Sequence, residues 1–158
     1  MLMFCGCSDS SEDTDINAAS PTTPTANLWD SEQLREFGLK TLKCPSGVVA
    51  EKWDYNEATH SLVVLLTSVD DYEGFAKDLF EIAKKSSGGV MTNAEGTAIS
   101  SFSESCASID LGMYLFYYRT NGTKFYASTI YYDEGSDLLG YPEKSVLLCL
   151  KDVAYIKY

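Results

Sequence analysis

The segment IDLGMYLFYYRTNGTKFYASTIYYD, residues 109–133, decides the fold of this chain. It contains two runs of strand-forming residues on either side of Asn121-Gly122. An Asn-Gly pair between two such runs predicts a two-residue β-turn, because both central positions of that turn need positive φ. The sequence therefore predicts a long antiparallel hairpin at the centre of a sheet.

A two-residue turn also determines the register of this hairpin, in which Tyr118 faces Phe125. Arg119 then lies opposite Lys124, a mildly unfavourable pairing of like charges. Because side chains alternate along a strand, one face is aliphatic and the other aromatic. The aliphatic face comprises Ile109, Leu111, Met113, Leu115, Ser128 and Ile130, and the aromatic face comprises Tyr114, Phe116, Tyr118, Phe125, Thr129 and Tyr131.

Length and composition favour one globular domain with a tail, since 45% of the 158 residues are hydrophobic. The net charge of −11 argues against nucleic-acid binding, because that affinity depends on clustered Lys and Arg. It argues equally against adsorption to anionic lipid head groups. No apolar run is long enough for a membrane-spanning helix.

The start of the chain, MLMFCGC, is apolar and is followed abruptly by Ser8-Asp9. Phe4-Cys5-Gly6-Cys7 resembles the lipobox of bacterial lipoproteins, in which a small residue precedes the cysteine that becomes acylated. Gly6 matches that pattern, whereas Phe4 stands where the family prefers leucine. The resemblance implies lipidation of Cys7, a signal-peptide remnant at residues 1–7, and attachment to the bacterial cell envelope at the outer membrane or cell surface.

Residues 8–28 have the composition of a disordered tether, with four acids, no Lys or Arg, and many Ser, Thr, Pro and Ala residues. Flexible-chain scaling gives such a segment a span of roughly 25 Å. Residues 29–158 are then expected to form a single domain. An ordinary floppy N-terminus on a cytosolic protein remains the alternative interpretation.

The rest of the domain alternates between helical and strand periodicity. Asp30 is expected to cap the first helix and Ser68 the second, with Asp70 and Asp71 in the first turn of the second helix. The order predicts an α+β fold, with two helices packed on one face of a mainly antiparallel sheet. The expected helices span 30–43 and 69–85, and the expected strands span 48–55, 61–66, 90–92, 98–102 and 145–158.

Catalytic motifs are lacking, since the sequence has no P-loop, GxGxxG or GxSxG pattern. His60 lies in a polar segment beside Glu57, which favours a solvated turn over a zinc or catalytic site. The acidic stretch 133–137 lacks the alternating spacing of a calcium loop. No metal or cofactor is therefore predicted. A carboxylate-based hydrolase remains open, because the fold can assemble such pairs from distant residues.

The cysteines suggest one disulfide in an exported protein. If Cys7 is acylated and Cys5 removed, three cysteines remain in the domain. Cys149 lies in the run VLLCL and is expected in the core. Cys44 and Cys106 both fall in expected loops, and they form the predicted bridge.

The favoured function is a lipid-anchored, envelope-facing, non-catalytic binding module. If the helices cover the aliphatic face of the hairpin, the aromatic face is left for a protein or glycan partner. The alternative is that another segment folds over the aromatic face and makes it core, since aromatic residues also favour strands for cross-strand packing alone. Tyrosine suits such a surface, because it combines a large apolar body with a polar tip. A small extracytoplasmic hydrolase and a structural or inhibitory lipoprotein are the alternatives. The predicted binding residues are Tyr114, Phe116, Tyr118, Phe125 and Tyr131.

Overall fold

The computed structural model describes residues 26–156, which fold around an eight-stranded sheet with antiparallel pairing throughout. The helices are α1 (Ser31–Leu34), continued by a 3₁₀ turn at Arg35–Phe37, and α2 (Tyr72–Ser86). The strands are β1 (Val49–Asn56), β2 (Ser61–Thr67), β3 (Met91–Thr92), β4 (Ala98–Ile99), β5 (Cys106–Ser108), β6 (Met113–Thr120), β7 (Thr123–Tyr132) and β8 (Ser145–Asp152). The α+β class with a mainly antiparallel sheet is confirmed.

The C-terminal strand holds the two main hairpins together. The spatial order is β1-β2-β8-β7-β6-β3-β4, with β5 also paired to β6. β8 therefore lies between the early β1/β2 hairpin and the later β6/β7 hairpin. It is shorter than predicted, because a 3₁₀ turn at Val153–Tyr155 follows it directly.

The central hairpin has the predicted turn and register. Asn121 and Gly122 have φ angles of 52° and 79°, and Tyr118 faces Phe125. Its first strand is shorter than predicted, however, because residues 109–112 form a turn between β5 and β6. Ile109 is consequently 87% exposed and does not belong to an aliphatic face.

The aromatic side chains of this hairpin face the core. Phe116 and Phe125 are 2% and 0% exposed. The ring of Phe80, from α2, lies 5.3 Å from the ring of Phe116, and the ring of Phe37, from the 3₁₀ turn, lies 5.1 Å from that of Phe125. The expectation that the helices cover the aliphatic face is therefore wrong. Large rings on the central strands pack against the helical side chains, and they are among the largest fully buried side chains of the domain.

The helices begin and end at points that local capping explains. The carboxylate of Asp30 accepts a hydrogen bond from the Gln33 amide, as predicted, but the helical segment ends at Gly38 in the left-handed region. α2 begins later than predicted, because Asp71 is its cap and accepts from the Gly74 amide at 2.9 Å. Ser68 precedes it with a φ of 62° and does not cap the helix.

The folded unit begins slightly earlier than predicted. The side-chain oxygen of Asn27 accepts a hydrogen bond from the Ala50 amide at 3.0 Å, and the Leu28 amide donates to the Ala50 carbonyl at 2.9 Å. Asn27 and Leu28 thus belong to the folded unit and not to the predicted tether. The remaining tether residues and the predicted signal-peptide remnant, up to residue 25, lie outside the described residues.

Candidate functional site

The candidate site is the face of the sheet opposite the core, which we call the open face. On the core face, Phe37 of the 3₁₀ turn contacts Phe125, and Phe80 of α2 contacts Phe116. The residues that alternate with these core side chains therefore form the open face. Its main members are Val63, Leu65, Met113, Leu115, Tyr117, Tyr126, Ser128, Ile130, Leu147, Cys149 and Lys151.

Strand register aligns the open-face side chains in rows across β2, β8, β7 and β6. The first apolar row has small residues on its two central strands and consists of Val63, Cys149, Ser128 and Leu115. The second apolar row has large residues on the same strands and consists of Leu65, Leu147, Ile130 and Met113. Most of these side chains are partly exposed, so together they form a continuous apolar surface.

A cationic corner, defined by Arg119, Lys124 and Lys151, lies at one end of this face. Tyr117, Tyr126 and Lys151 form the row next to the apolar ones, and the two tyrosine rings lie 5.6 Å apart. The Nζ atom of Lys124 lies 5.4 Å from the Tyr117 ring centroid, an attractive cation–π geometry. Within residues 26–156, the ion pairs involve other residues than these three cations.

An acidic loop lies at the opposite end of the same strands, between β7 and β8. It is bent towards the open face, because the ring of Tyr141 lies 5.3 Å from that of Tyr132 on the open-face side of β7. Backbone hydrogen bonds between Ser136 and Tyr141 hold this bend. The loop has four exposed acidic residues, which are Asp133, Glu134, Asp137 and Glu143.

The five aromatic residues predicted to bind a partner belong instead to the opposite face. Phe116, Tyr118 and Phe125 are inside the core, where no partner can reach them. Tyr114 and Tyr131 are half-buried. The expectation that this aromatic face is exposed is therefore wrong, because Phe37 packs against Phe125 and Phe80 packs against Phe116.

The half-buried members of this aromatic set also have partners within the chain. Tyr114 stacks on Phe102 at 4.3 Å, and Tyr131 stacks on Tyr72 at 4.7 Å. The Tyr72 hydroxyl donates to the Gly112 carbonyl at 2.5 Å and lies 3.0 Å from the Thr129 hydroxyl. Burial raises the pKa of Tyr72 to about 12. These tyrosines connect α2 to the hairpin and have a structural role.

Tyr117 and Tyr126 lie on the open face, and the sequence analysis did not predict them as binding residues. They alternate with the core rings on the same two strands, so hydrophobicity alone does not separate the two sets. The charged residues that share a face with these tyrosines indicate which face of the hairpin is exposed. Arg119 and Lys124 lie on the same face as these tyrosines, and such residues are almost never fully buried without a partner.

The predicted Cys44–Cys106 disulfide is not present, since both residues are free thiols. The Cys44 thiol donates to the Val48 carbonyl at 3.3 Å, beside the β1 edge, whereas Cys106 begins β5. Five strand spacings separate these positions in the sheet, or about 24 Å, and a disulfide needs Cα atoms within about 7 Å. The topology therefore excludes this bridge within one chain.

Predictions were also made for Cys149, as a core residue, and for Cys7, as the site of lipidation. Cys149 lies on the open face and is half-buried, where loss of solvation raises the pKa of its thiol. The expectation that it lies in the core is therefore wrong. Cys7 lies outside the described residues, so its lipidation stays a prediction.

His60 lies in the turn between β1 and β2, as predicted, but its side chain is half-buried and packs against aromatic rings of the core. Its ring centroid is 5.2 Å from that of Phe37 and 5.1 Å from that of Phe125. The Nε2 atom lies 3.7 Å from a Glu36 carboxylate oxygen, and the Nδ1 atom lies 3.6 Å from one of Asp152. His60 therefore links the first helical segment to the end of β8.

The acidic residues singled out by sequence have structural partners. Asp70 pairs with Lys144 at 2.8 Å, and Asp71 caps α2. In the part of the chain that the structure describes, no three His, Cys, Asp or Glu side chains are grouped so as to hold a metal ion. The described helices are also too short or too polar to cross a membrane.

Comparisons of the chain with protein-family models, with curated proteins and with solved structures found no match. Function is therefore inferred from the geometry of the site. The open face combines apolar rows with a cationic corner at one end and an acidic loop at the other. This arrangement offers a contact surface at the centre of the sheet.

Proposed function

We propose that this protein is a non-catalytic interaction module that binds another protein through its open face. The uncovered apolar rows are the observation that carries this proposal. Contiguous apolar patches on soluble domains mark interaction sites more often than inert surface. The contacts of Phe37 and Phe80 with core rings support a one-sided arrangement, in which both helical segments lie on one face and leave the other to a partner.

The chemistry of the open face favours a protein over a glycan. Protein interfaces have an apolar centre, aromatic and arginine residues nearby, and a polar rim. The open face has aliphatic rows at its centre, with Tyr126 and Arg119 towards one end and the acidic loop at the other. A glycan site needs several hydrogen-bonding groups that converge in a cleft, whereas these side chains spread over a sheet.

We further propose that the domain is attached to the bacterial cell envelope through a lipid on Cys7. The Gly6-Cys7 pair and the tether-like composition of residues 8–26 support this attachment. The alternative of a carboxylate-based hydrolase has less support. Asp70 and Asp71 are engaged in an ion pair and a helix cap, and the acids of the β7–β8 loop are exposed to solvent.

Site-specific photocrosslinking tests the open-face proposal. A benzophenone amino acid replaces Tyr126 in the full chain, expressed in a bacterial envelope with its lipidation signal. The matched control places the same group at Asp78, an exposed residue of α2 on the other side of the sheet. Discrete crosslinked products are expected from position 126 and not from position 78. Absence of products at position 126, or equal products at both positions, contradicts the proposal.

A further inference from the structure

We infer that the open face binds a second copy of this chain, so that two sheets pack face to face around a two-fold axis. This inference rests on the proposed function, because it names the partner of the same face. The axis lies between the two sheets and runs parallel to the rows, between the row of Ser128 and the row of Ile130. The strands of the two copies then run in opposite directions.

Side-chain size supports this position of the axis. Ser128 and Cys149 are the small central residues of one row, and Ile130 and Leu147 are the large central residues of the next. An axis between these rows places the large row of each copy over the small row of the other. Alternation of large and small side chains across facing layers is how packed sheets fill the space between them.

The charge distribution selects the same axis. The cationic corner and the acidic loop lie at opposite ends of β7, which is 10 residues long. An axis along the rows brings Lys124 of each copy towards Glu134 and Asp137 of the other. An axis along the strands instead stacks the two cationic ends on the same side, which like-charge repulsion disfavours. The face is therefore self-complementary in one orientation.

A second copy also explains why two cations, Arg119 and Lys124, lie directly opposite each other on neighbouring strands. The two cations are direct cross-strand neighbours, and both are exposed. Like charges in that position are destabilising, and the ion pairs within residues 26–156 leave both without an acidic partner. Sequences break such local rules mainly at functional sites. Acidic side chains of a second copy supply the missing counter-charge.

The size of the face sets an expectation for the strength of association. Four adjacent strands of about 4.8 Å spacing and eight residues of about 3.3 Å rise give a face of about 500 Å². Two copies then bury about 1,000 Å², in the range of weak or transient interfaces. We therefore expect a reversible dimer that dissociates on dilution.

Sedimentation equilibrium of the full chain over a concentration series tests this dimer. We expect a monomer–dimer equilibrium, and we expect Ile130→Asp or Leu147→Asp to weaken it by at least about tenfold. Leu28→Asp is the matched control, since Leu28 is 46% exposed beside β1 and outside the apolar rows. Circular dichroism and urea unfolding verify that each variant is folded. A monomer at every concentration, or a dimer that these substitutions leave unchanged, overturns the inference.

Charge reversal tests the orientation of the two copies. Arg119→Glu with Lys124→Glu is expected to weaken the dimer. Adding Glu134→Lys and Asp137→Lys to the same chain is expected to restore it, because the two ends meet across the axis. If the combined variant associates no better than the first, the proposed orientation is wrong.

Thiol labelling gives a readout that needs no substitution. Cys149 lies within the apolar rows, whereas Cys106 is exposed on β5 and outside them. The labelling rate of Cys149 relative to Cys106 is expected to fall as protein concentration rises. A ratio that stays constant through the concentration range contradicts burial of this face between copies.

Crosslinking and sedimentation together distinguish a failure of the dimer inference from a failure of the proposed function. Crosslinks from position 126 to a different protein, with a monomeric chain, leave the interaction module intact and remove the second copy as its partner. Crosslinks from position 126 to residues 1–25 of the same chain remove both. A dimer with crosslinks of dimer mass supports both.

Discussion

The hydroxyl of Tyr118 donates a 2.7 Å hydrogen bond to the backbone carbonyl of Phe37, a residue 81 positions earlier in the chain. Tyr118 is 1% exposed, so this bond lies in the core and connects the central hairpin to the 3₁₀ turn. Burial raises the pKa of Tyr118 far above its usual value. The residue therefore acts as a neutral donor at the point where the first helical segment meets the sheet.

Tyr118→Phe is expected to destabilise the fold by about 1 kcal/mol, because it leaves the Phe37 carbonyl buried without a donor. Urea unfolding measures the change. Tyr126→Phe is the control, since Tyr126 lies on the open face and its hydroxyl is outside the core. Equal losses for the two variants argue that the Phe37 bond contributes nothing specific.

The stability of the domain is expected to fall as pH rises from about 10 towards 12. Burial raises the pKa of Tyr72 from 10.0 to about 12, so the folded state keeps the hydroxyl neutral after the unfolded chain has ionised. The stabilisation is fully present below pH 10 and is lost as pH approaches 12. Unfolding free energies at several pH values measure the slope, and Tyr72→Phe is expected to reduce it. An unchanged slope in that variant assigns the dependence to other groups.

Gly38→Ala is expected to destabilise the fold by about 2 kcal/mol. Its φ is 72°, and an added Cβ meets the side chains of Ser86 and Thr120 at less than the normal contact distance. Backbone strain accounts for about 1 kcal/mol and the overlap for the remainder. Gly47→Ala is the control, because Gly47 also has a positive φ of 81° but open space around it. If thermal or urea unfolding gives the same loss at both sites, only strain operates at Gly38.

Lys124→Glu is expected to stabilise the monomer by about 0.5 kcal/mol, since the new carboxylate forms an ion pair with Arg119 across the hairpin in place of the like-charge pair. Lys43→Glu, at an exposed loop position, controls for the change in net charge. Urea unfolding at low protein concentration measures the effect apart from association. A loss of stability means that the cation–π contact with Tyr117 outweighs the repulsion.

The full chain, expressed in a bacterial host behind a lipoprotein signal peptide, is expected to incorporate palmitate at Cys7. The expectation comes from Gly6-Cys7 and the tether composition that follows. Metabolic labelling followed by membrane fractionation measures it, with Cys7→Ala as the test variant and Cys106→Ala as the control. Label that persists in the Cys7→Ala variant disproves acylation at this site.

Local sequence determined the hairpin turn, its register and the first helix cap. Asn121 and Gly122 accept positive φ in any context, and Asp30 needs only the amide of Gln33, three residues away. Such features depend on neighbours in the chain, so they could be predicted without the fold. The cap of α2 is Asp71 and not the predicted Ser68, because both residues suit that position and tertiary contacts decide between them.

Only the tertiary structure decided which face of the hairpin is buried. Phe116 and Tyr117 are adjacent and both suit a strand, but Phe116 meets Phe80 of α2 whereas Tyr117 meets Tyr126 and Lys124. Propensity does not distinguish two apolar faces, because their burial depends on where distant helical side chains arrive. The same non-local placement of β8 separates Cys44 from Cys106. The candidate site therefore emerged from strand order, which no local pattern encodes.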